Sequence, residues 1–310
     1  MITAQPSPPD SSSTDIYYIH RGPIPRYLLQ SMENTRVFNP VARIFLIGDH
    51  SHAQLSRLGV TLVPISELPQ NEIEAFQKSY KHTSGNPEGF ERFCFTRWFL
   101  LKEAMLVNNS SIVLHLDSDC MIFDTTQALT QRLLPASALC YYGSSGNPHV
   151  ALFRKEGLVS LTKTLLTLFD SDLYHNWSKT NWLADRQYFC DMTGLIHHLR
   201  THPAQVNSQI TWNDAMLEQT MSEADGCELW PGPKKLKRVQ WREKDGKLIP
   251  HLRNLAGNQW MRALALHYKG ASKRRMRRFN TLASTHPGRL LKKFIYNHIP
   301  PVNLLSALKR

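Results

Sequence analysis

The stretch Leu114-His-Leu-Asp-Ser-Asp-Cys-Met-Ile-Phe123 sets two carboxylates, Asp117 and Asp119, directly behind an apolar run. That run, Ser111–Leu116, has the composition of a strand that is buried on both faces of a parallel sheet. Ligands of open α/β sheets bind at the carboxyl ends of such strands. Two uncompensated carboxylates buried there would cost on the order of several kcal/mol, a cost that a divalent cation removes. Carboxylate oxygens suit Mg²⁺ or Mn²⁺, although the pair alone also fits a loop of solvated carboxylates.

Strand-like and helix-like segments alternate along most of the chain. Short β-branched and aromatic runs predict strands at Asp15–Arg21, Arg43–Gly48, Val60–Ile65, Ser137–Tyr142, Val150–Phe153 and Met261–Tyr268. Apolar spacing predicts helices at Pro25–Phe38, Ser51–Leu58, Phe90–Val107 and Lys155–Phe169. Beyond Arg200 the pattern weakens, except that Lys237–Pro250 alternates around Lys244-Asp-Gly-Lys247 and predicts a hairpin. This order of elements indicates an α/β layer fold.

Length and composition exclude several classes of protein. The chain has 310 residues, enough for one large or two small domains. With 42% hydrophobic and 20% charged residues, it is not wholly disordered, collagen-like or a coiled coil. No apolar run approaches the ~20 residues of a membrane helix. Residues 1–14 are rich in Pro and Ser and predict a disordered lead without a secretory signal. Five cysteines without a CxxC pair indicate reduced thiols, so we expect a cytoplasmic protein.

The positive charge is concentrated at one end of the chain. Of the net charge of +12, residues 267–310 contribute +11, because they hold eleven Lys or Arg and no Asp or Glu. A terminal basic block predicts an anionic partner such as phosphate, nucleic acid or a membrane surface. The runs Lys273–Arg278 and Arg289–Tyr296 could extend a phosphate site, form a solvated face or dock on anionic lipid at the inner face of a membrane. We assign 276–310 as a basic C-terminal extension.

Residues suited to phosphate and metal binding lie both before and after the carboxylate pair. Arg97 lies on the predicted helix that leads into the strand, and it could be an ion-pair partner or a support for an anionic ligand. Far downstream, His267, Gly270 and Lys273 form a His-x-x-Gly-x-x-Lys pattern. A histidine can complete the ligand shell of a metal, a glycine lets the backbone approach a phosphate, and a lysine can neutralise a diphosphate. With a metal, these groups would stabilise a nucleoside diphosphate as a leaving group.

In this order the motifs resemble those of glycosyltransferases with the GT-A fold, near family eight and related bacterial enzymes. That family carries an Arg-bearing helix, a strand ending in Leu-Asp-x-Asp and a late His-x-x-Gly-x-x-Lys, here Thr96–Trp98, Leu116–Asp119 and His267–Lys273. The resemblance spans about residues 15–275. It implies a Rossmann-like nucleotide-binding sandwich with a mixed central sheet. It also implies transfer of a sugar from a nucleoside diphosphate donor, with uridine as the expected base, to an acceptor hydroxyl.

The resemblance implies a role for each residue of these motifs. The metal, Mn²⁺ or Mg²⁺, would be held by Asp117, Asp119 and His267. The nucleotide-sugar donor would be bound by Arg97, Asp117, Gly270 and Lys273. The acceptor would be a saccharide, a lipid-linked molecule or a protein, as in the synthesis of cell-surface glycans or glycolipids.

The family also places an acidic residue near the sugar, often in an Asp-x-Gln sequence. Asp185, which is followed by Arg and Gln, is the best match, and Asp191 is a rival. In an inverting enzyme this carboxylate would be the general base for the acceptor hydroxyl, and in a retaining enzyme it would steady the developing positive charge. The chain departs from the family after Lys273, where Arg274 and Arg275 replace the usual Pro-Trp. The stereochemistry at the sugar therefore stays open.

Two other classes of function fit part of the sequence. Phosphotransferases of the haloacid dehalogenase type also place Asp-x-Asp after a strand. They carry Thr or Val two residues after the second Asp, where this chain has Met121, and they place the motif near the N-terminus. A nucleic-acid-binding protein would use the basic C-terminus. The chain contains no zinc-finger, helix-turn-helix or RNA-recognition pattern, so nucleic acid is not the expected partner.

Overall fold

The first of two β-sheets is built from the apolar runs of the N-terminal half. The computed structural model describes residues 13–180, 189–231 and 236–276. The described strands are β1 Thr14–His20, β2 Ile44–Gly48, β3 Val60–Pro64, β4 Ile112–Leu116, β5 Cys120–Ile122, β6 Cys140–Tyr141, β7 Val150–Arg154, β8 Val206–Asn207, β9 Ala215–Leu217, β10 Val239–Lys244, β11 Lys247–Asn254 and β12 Gln259–His267. The first sheet has the order β3-β2-β1-β4-β7-β6-β8, with β1 to β4 parallel and β7 antiparallel to β4. The predicted α/β fold with a mixed central sheet is confirmed.

The second sheet is joined to the first by the short turn that contains Asp117 and Asp119. It has the order β10-β11-β12-β5, and β9 pairs with β12 outside that path. Strand β4 belongs to the first sheet and β5 to the second, so the turn between them crosses from one sheet to the other. Strand β5 runs antiparallel to β12 and places Cys120 opposite His267. The predicted hairpin is formed by β10 and β11, which pair in register up to Lys244 and Lys247.

Eight described helices cover the sheets. They are α1 Arg26–Phe38, α2 Ala53–Arg57, α3 Asn71–Ser79, α4 Glu88–Val107, α5 Thr126–Leu133, α6 Lys155–Leu166, α7 Asp172–Thr180 and α8 Asp191–Thr201. The start of α4 is fixed locally, because Pro87 precedes it and two acidic residues in its first turn, Glu88 and Glu91, complement the helix dipole. Its end is marked by Asn109, whose φ of +51° is left-handed.

Both faces of the first sheet are buried, as its unbroken apolar strands require. On one face, α3, α4 and α6 pack over alternate strand residues such as Tyr17 and Phe153. On the other face, α1, α5 and part of the second sheet pack over residues such as Tyr18 and Leu114. Trp98 of α4 is fully buried, and its ring lies edge-on to Phe153 with 5.6 Å between the ring centroids. This packing fixes α4, and with it Arg97, against the end of β4.

Several predicted boundaries were wrong in detail. The strand predicted for Ser137–Tyr142 contains only Cys140–Tyr141, because a turn closed by the Ala138 amide on the Pro135 carbonyl precedes it. The helix predicted for Lys155–Phe169 ends at Leu166 and is followed by a separate 3₁₀ turn. Within the described part of the chain, no helix has both the length and the apolar content needed to cross a membrane.

Gly157 provides a test of the packing between α6 and the first sheet. A Cβ at this position would lie 2.3 Å from the Leu139 carbonyl oxygen and 2.6 Å from the Cys140 sulfur. We expect Gly157→Ala to lower the free energy of unfolding by about 1–3 kcal/mol, because backbone cannot move aside cheaply. The control is Gly89→Ala in α4, where a Cβ would meet nothing within 4 Å. There we expect no loss, or a gain of up to about 1 kcal/mol. Urea denaturation of both variants checks this, and equal effects would contradict the packing described.

Candidate functional site

Three backbone hydrogen bonds hold the turn that carries Asp117 and Asp119, two to other segments and one within the turn. The Asp117 amide donates to the His149 carbonyl at 3.0 Å, which ties the turn to β7. The Cys120 amide donates to the Asp117 carbonyl at 3.0 Å and closes the turn on itself. The Tyr268 amide donates to the Asp119 carbonyl at 2.9 Å, which ties the turn to the chain just after β12. The backbone at the junction between the sheets is therefore fixed independently of the side chains.

Asp117, Asp119 and His267 bring their donor atoms together at this junction. One carboxylate oxygen from each aspartate and one ring nitrogen of His267 all lie within 4.8 Å of one another. The His267 Nε2 is 3.5 Å from Asp119 Oδ1. Two carboxylate oxygens and an imidazole nitrogen are donors that Mn²⁺ and Mg²⁺ can accept, so the donor set fits a divalent cation.

Lys273 places a positive charge beside the cluster. Its Nζ is 3.0 Å from Asp119 Oδ2 and 4.7 Å from the centre of the Tyr27 ring. It lies on the 3₁₀ turn Gly270–Arg275, whose first residue has a φ of +61°. Glycine adopts this left-handed conformation without strain. The turn carries the lysine back over the end of β12 and towards Asp119.

Arg97 joins two carboxylates that are far apart in sequence. Its Nη1 donates to Asp117 Oδ1 at 2.9 Å, and its Nη2 donates to Asp191 Oδ2 at 2.5 Å. Burial disfavours the guanidinium charge, but the two carboxylates outweigh burial and raise the pKa of Arg97. Of the two predicted roles for Arg97, the structure shows the ion-pair partner, with Asp117 and Asp191 as the carboxylates. Its part in donor binding stays a prediction.

The two aspartates of the cluster are held in the charged form. Burial opposes the charge on Asp117, but Arg97 and His115 outweigh it, and the pKa of Asp117 is lowered. Burial likewise opposes the charge on Asp119, but the hydrogen bond and charge of His267 outweigh it, and the pKa of Asp119 is also lowered. Both carboxylates are therefore ionised at neutral pH, as ligands of a cation must be.

The ring of His267 is held on two sides. Its Nδ1 is 2.8 Å from the Gln219 carbonyl oxygen, which can only accept, so Nδ1 carries a proton, and Nε2 faces Asp119. The His149 ring stacks on it with 4.7 Å between centroids and an interplanar angle of 6°. Burial, and next the charge of His267, lower the pKa of His149 to about 3. The stacked partner is therefore neutral, and it leaves the positive charge of the site to Arg97, Lys273 and His267.

Most of the residues predicted for the site lie close together in the structure. Six of them form one connected cluster: Asp191, Arg97, Asp117, Asp119, His267 and Lys273. Asp191 is a buried residue at the start of α8, and burial is the main cause that raises its pKa. Asp185 lies outside the described residues, as does the basic segment that follows Met276.

Four polar residues of the site were not predicted from the sequence: His115, His149, Glu218 and Gln219. A histidine inside an otherwise apolar strand was a visible signal for His115, whose Nε2 is 3.3 Å from Asp117 Oδ1. A carboxylate directly after the apolar run Ala215–Leu217 was a similar signal for Glu218. No local pattern could have paired His149 with His267, because His149 directly precedes β7 of the first sheet and His267 ends β12 of the second.

A second acidic group lies on the far side of Arg97. Glu91, Cys190 and Asp191 bring their donor atoms within 4.8 Å of one another. Glu91 Oε2 accepts hydrogen bonds from Ser84 Oγ at 3.0 Å and from Asn86 Nδ2 at 2.9 Å. Asp191 already has its arginine partner. Because protein groups compensate these carboxylates, we assign no metal there.

Comparison with known proteins gives no match in sequence and several in structure. No protein-family model matches the chain. No curated protein matches it. The galactosyltransferase LgtC, solved with donor and acceptor sugar analogues, is similar with a TM-score of 0.43 and 14% identity over 90% of this chain and 99% of that one. Mouse xyloside xylosyltransferase 1 has a TM-score of 0.41 and 12% identity over 64% and 85%. The bifunctional glycosyltransferase WbbM has a TM-score of 0.46 and 12% identity over 92% and 52%.

All three of these structures are glycosyltransferases, the class of enzyme that the sequence motifs resemble. Their TM-scores with this chain lie below 0.5, so we base the function on the side chains at the site.

Arg97 tests the charge balance of the site. We expect Arg97→Met to lower the free energy of unfolding by about 3 kcal/mol or more at pH 8, because Asp117 and Asp191 would be buried without their partner. The buried Asp191 would then bind a proton more readily folded than unfolded, so stability falls as pH rises above the ordinary carboxyl pKa. The loss relative to wild type should therefore shrink at pH 5.

The control for this experiment lies one turn earlier on the same helix. Arg92 forms an exposed pair with Glu88, with exposed side-chain fractions of 43% and 57%. We expect Arg92→Met to change the free energy of unfolding by less than about 0.5 kcal/mol at either pH. Urea denaturation at pH 5 and pH 8 measures both variants. A loss for Arg97→Met that does not depend on pH would contradict the assigned charge balance.

Proposed function

We propose that this chain is a metal-dependent glycosyltransferase that moves a sugar from a nucleoside diphosphate donor, with uridine as the base, to an acceptor hydroxyl. The observation that carries the proposal is the meeting of Asp117, Asp119, His267 and Lys273 at the carboxyl edge of a buried strand. Two carboxylates, an imidazole nitrogen and an ammonium group suit a cation that is bound together with a diphosphate. The likeness in fold to glycosyltransferases is consistent with this proposal.

The metal would be held by Asp117, Asp119 and the Nε2 of His267. A bound Mn²⁺ or Mg²⁺ would take up the negative charge that develops on the diphosphate as its bond to the sugar breaks. The protein prepares the ligands before the cation arrives. Both aspartates are ionised, and the hydrogen bond from Nδ1 to Gln219 leaves Nε2 directed at Asp119, where it would bind the cation after giving up its proton.

Lys273 would bind the diphosphate beside the metal. Its Nζ now pairs with Asp119, and its side chain is 32% exposed, so it is within reach of a ligand from solvent. Because Gly270 has no side chain, it would let the backbone of the turn come close to a phosphate oxygen. Its φ of +61° is also a conformation that other residues adopt only with strain. Both groups lie on the turn that directly follows the metal-binding His267, which would let them act on the same diphosphate.

Two aspartates, Asp185 and Asp191, are candidates for the carboxylate that would lie near the transferred sugar. Asp191 is committed to Arg97 and is only 6% exposed at its side chain, which suits it to orienting that arginine. Asp185 is therefore our candidate for the carboxylate that acts on the acceptor hydroxyl or steadies the sugar cation.

The acceptor would be a saccharide, a lipid-linked molecule or a protein. The basic extension 276–310 would bring the enzyme to an anionic membrane surface at its cytoplasmic face.

Thermal denaturation with uridine diphosphate tests the proposed site directly. We expect the nucleotide and Mn²⁺ together to stabilise the wild type far more than either does alone, because each completes the binding site of the other. At a hundred times the dissociation constant, the gain should be about 2.7 kcal/mol. Asp119→Asn should lose this gain, since it removes a charged ligand of the metal. Asp214→Asn should keep it, because Asp214 is exposed and pairs with Arg132 outside the cluster.

The pattern of results separates the metal assignment from the nucleotide assignment. Stabilisation of Asp119→Asn equal to that of the wild type would contradict the metal site. Absence of any stabilisation by uridine, guanosine or cytidine diphosphate with Mn²⁺ would contradict the glycosyltransferase proposal as a whole.

A further inference from the structure

A fully buried ion pair lies behind His267. The Lys237 Nζ donates to Glu218 Oε1 at 2.8 Å and to Asp225 Oδ2 at 2.9 Å. The side chains of Lys237 and Glu218 have no exposed surface. Burying two charges costs several kcal/mol for each ion, on an order-of-magnitude basis, and apolar replacements of such pairs are often neutral or stabilising. Stability alone therefore gives a weak reason for this pair, and its contacts point to another role.

Glu218 holds the backbone at the metal-binding histidine. Its second oxygen, Oε2, accepts a hydrogen bond from the His267 amide at 2.8 Å. The pairing of β9 with β12 ends at Leu217 opposite Ala265, after a shift in register. Past that point the Glu218 side chain acts as acceptor for the His267 amide, a place that a strand carbonyl would otherwise fill. The backbone position of His267 thus depends on a carboxylate that Lys237 orients.

The same short segment also holds the two imidazole rings. The Gln219 carbonyl oxygen is 2.8 Å from the His267 Nδ1, and the Glu218 carbonyl oxygen is 2.8 Å from the His149 Nε2. The two rings are stacked. One segment therefore makes three contacts with the histidine pair, and its position is set from behind by Lys237. Partners of this kind, behind a metal ligand, fix its tautomer and its ring orientation.

We infer that Glu218 and Lys237 are positioning residues, which together hold His267 in the Nδ1-protonated form with its Nε2 directed at Asp119. The metal-binding consequence rests on the proposed function of the site. The geometric claim concerns the protein alone, and it can be measured without a metal.

Two substitutions and their combination separate the hydrogen bond from the charges. Lys237→Met removes the ammonium and leaves Glu218 as an unpaired buried carboxylate. Glu218→Gln combined with Lys237→Met removes both charges, while the amide oxygen of glutamine can still accept from the His267 amide. If Lys237→Met alone does not fold, the combined variant, which buries no unpaired charge, is compared with Glu218→Leu combined with Lys237→Met. That second pair lacks the acceptor.

The matched control is another buried lysine that pairs with carboxylates. Lys102 of α4 is 9% exposed at its side chain, and its Nζ lies 2.6 Å from Glu72 and 2.9 Å from Glu103. Lys102→Met should lower stability through the same kind of loss. It should leave the histidine pair unchanged, because its carboxylate partners lie on α3 and α4.

The first readout is the tautomer of His267 in the metal-free protein. It is measured by ¹H–¹⁵N correlation of the imidazole groups at the highest pH at which the protein stays folded. Burial opposes the charge on His267, but the hydrogen bond and charge of Asp119 outweigh burial and raise the pKa of His267, so the neutral ring is reached only at alkaline pH. The His267 signal is assigned by its loss in His267→Asn. We expect the Nδ1-protonated form in the wild type, in Lys102→Met and in the combined variant with glutamine. We expect averaging between the two tautomers in Lys237→Met and in the variant with leucine.

The second readout is the dissociation constant for Mn²⁺, followed by electron paramagnetic resonance of the free ion. Lys237→Met should raise it by about 10–100-fold, as the loss of groups behind metal ligands does elsewhere. The combined variant with glutamine should regain most of the affinity, and Lys102→Met should match the wild type. A wild-type tautomer in both Lys237→Met and the leucine variant would overturn the inference. A wild type that binds no Mn²⁺ would overturn the proposed function, while the tautomer readout would still decide the inference.

Discussion

Two carboxylates at the end of a buried strand require positive charge on both sides, and the fold around them supplies it. Arg97 pairs with Asp117 from the helix that packs over the first sheet, and Lys273 pairs with Asp119 from the turn that follows β12. Without these partners, burial of the carboxylates would cost several kcal/mol, on an order-of-magnitude basis. Helix α4 and the turn after β12 are thus tied to the same pair of residues, although more than 150 residues separate them along the chain.

The register between β5 and β12 brings His267 to the two carboxylates. Because Cys120 lies opposite His267, the imidazole arrives beside the carboxylates that directly precede β5. A slip of one residue would send His267 to the other face of the sheet. Backbone bonds from His149 and Tyr268 fix the turn, so the donor atoms stand close together before any ligand binds. A ligand that bound to donor atoms arranged in this way would lose little binding energy to rearrangement of the protein.

The elements that could be predicted are those whose signals are local. An apolar run predicted the strand before Asp117. Turn residues between alternating segments predicted the hairpin around Lys244–Lys247. The contacts of His149 with His267 and of Glu218 with Lys237 could not be predicted, because each joins residues that are distant in the sequence and lie at the ends of different strands. The predicted strand from Ser137 to Tyr142 was too long, since its apolar composition carries no sign of where ladder partners end.

The most direct test of the central claim is the location of a bound metal. Crystals grown with Mn²⁺ and uridine diphosphate can be measured at the manganese absorption edge, where the anomalous signal identifies the ion. We predict a single strong peak at the coordination distance of divalent cations, about 2.0–2.6 Å from oxygen ligands, between Asp119, Asp117 and His267 and in contact with the diphosphate. A peak at Glu91, Cys190 and Asp191 instead, or nucleotide bound away from Lys273 without a metal, would contradict the account.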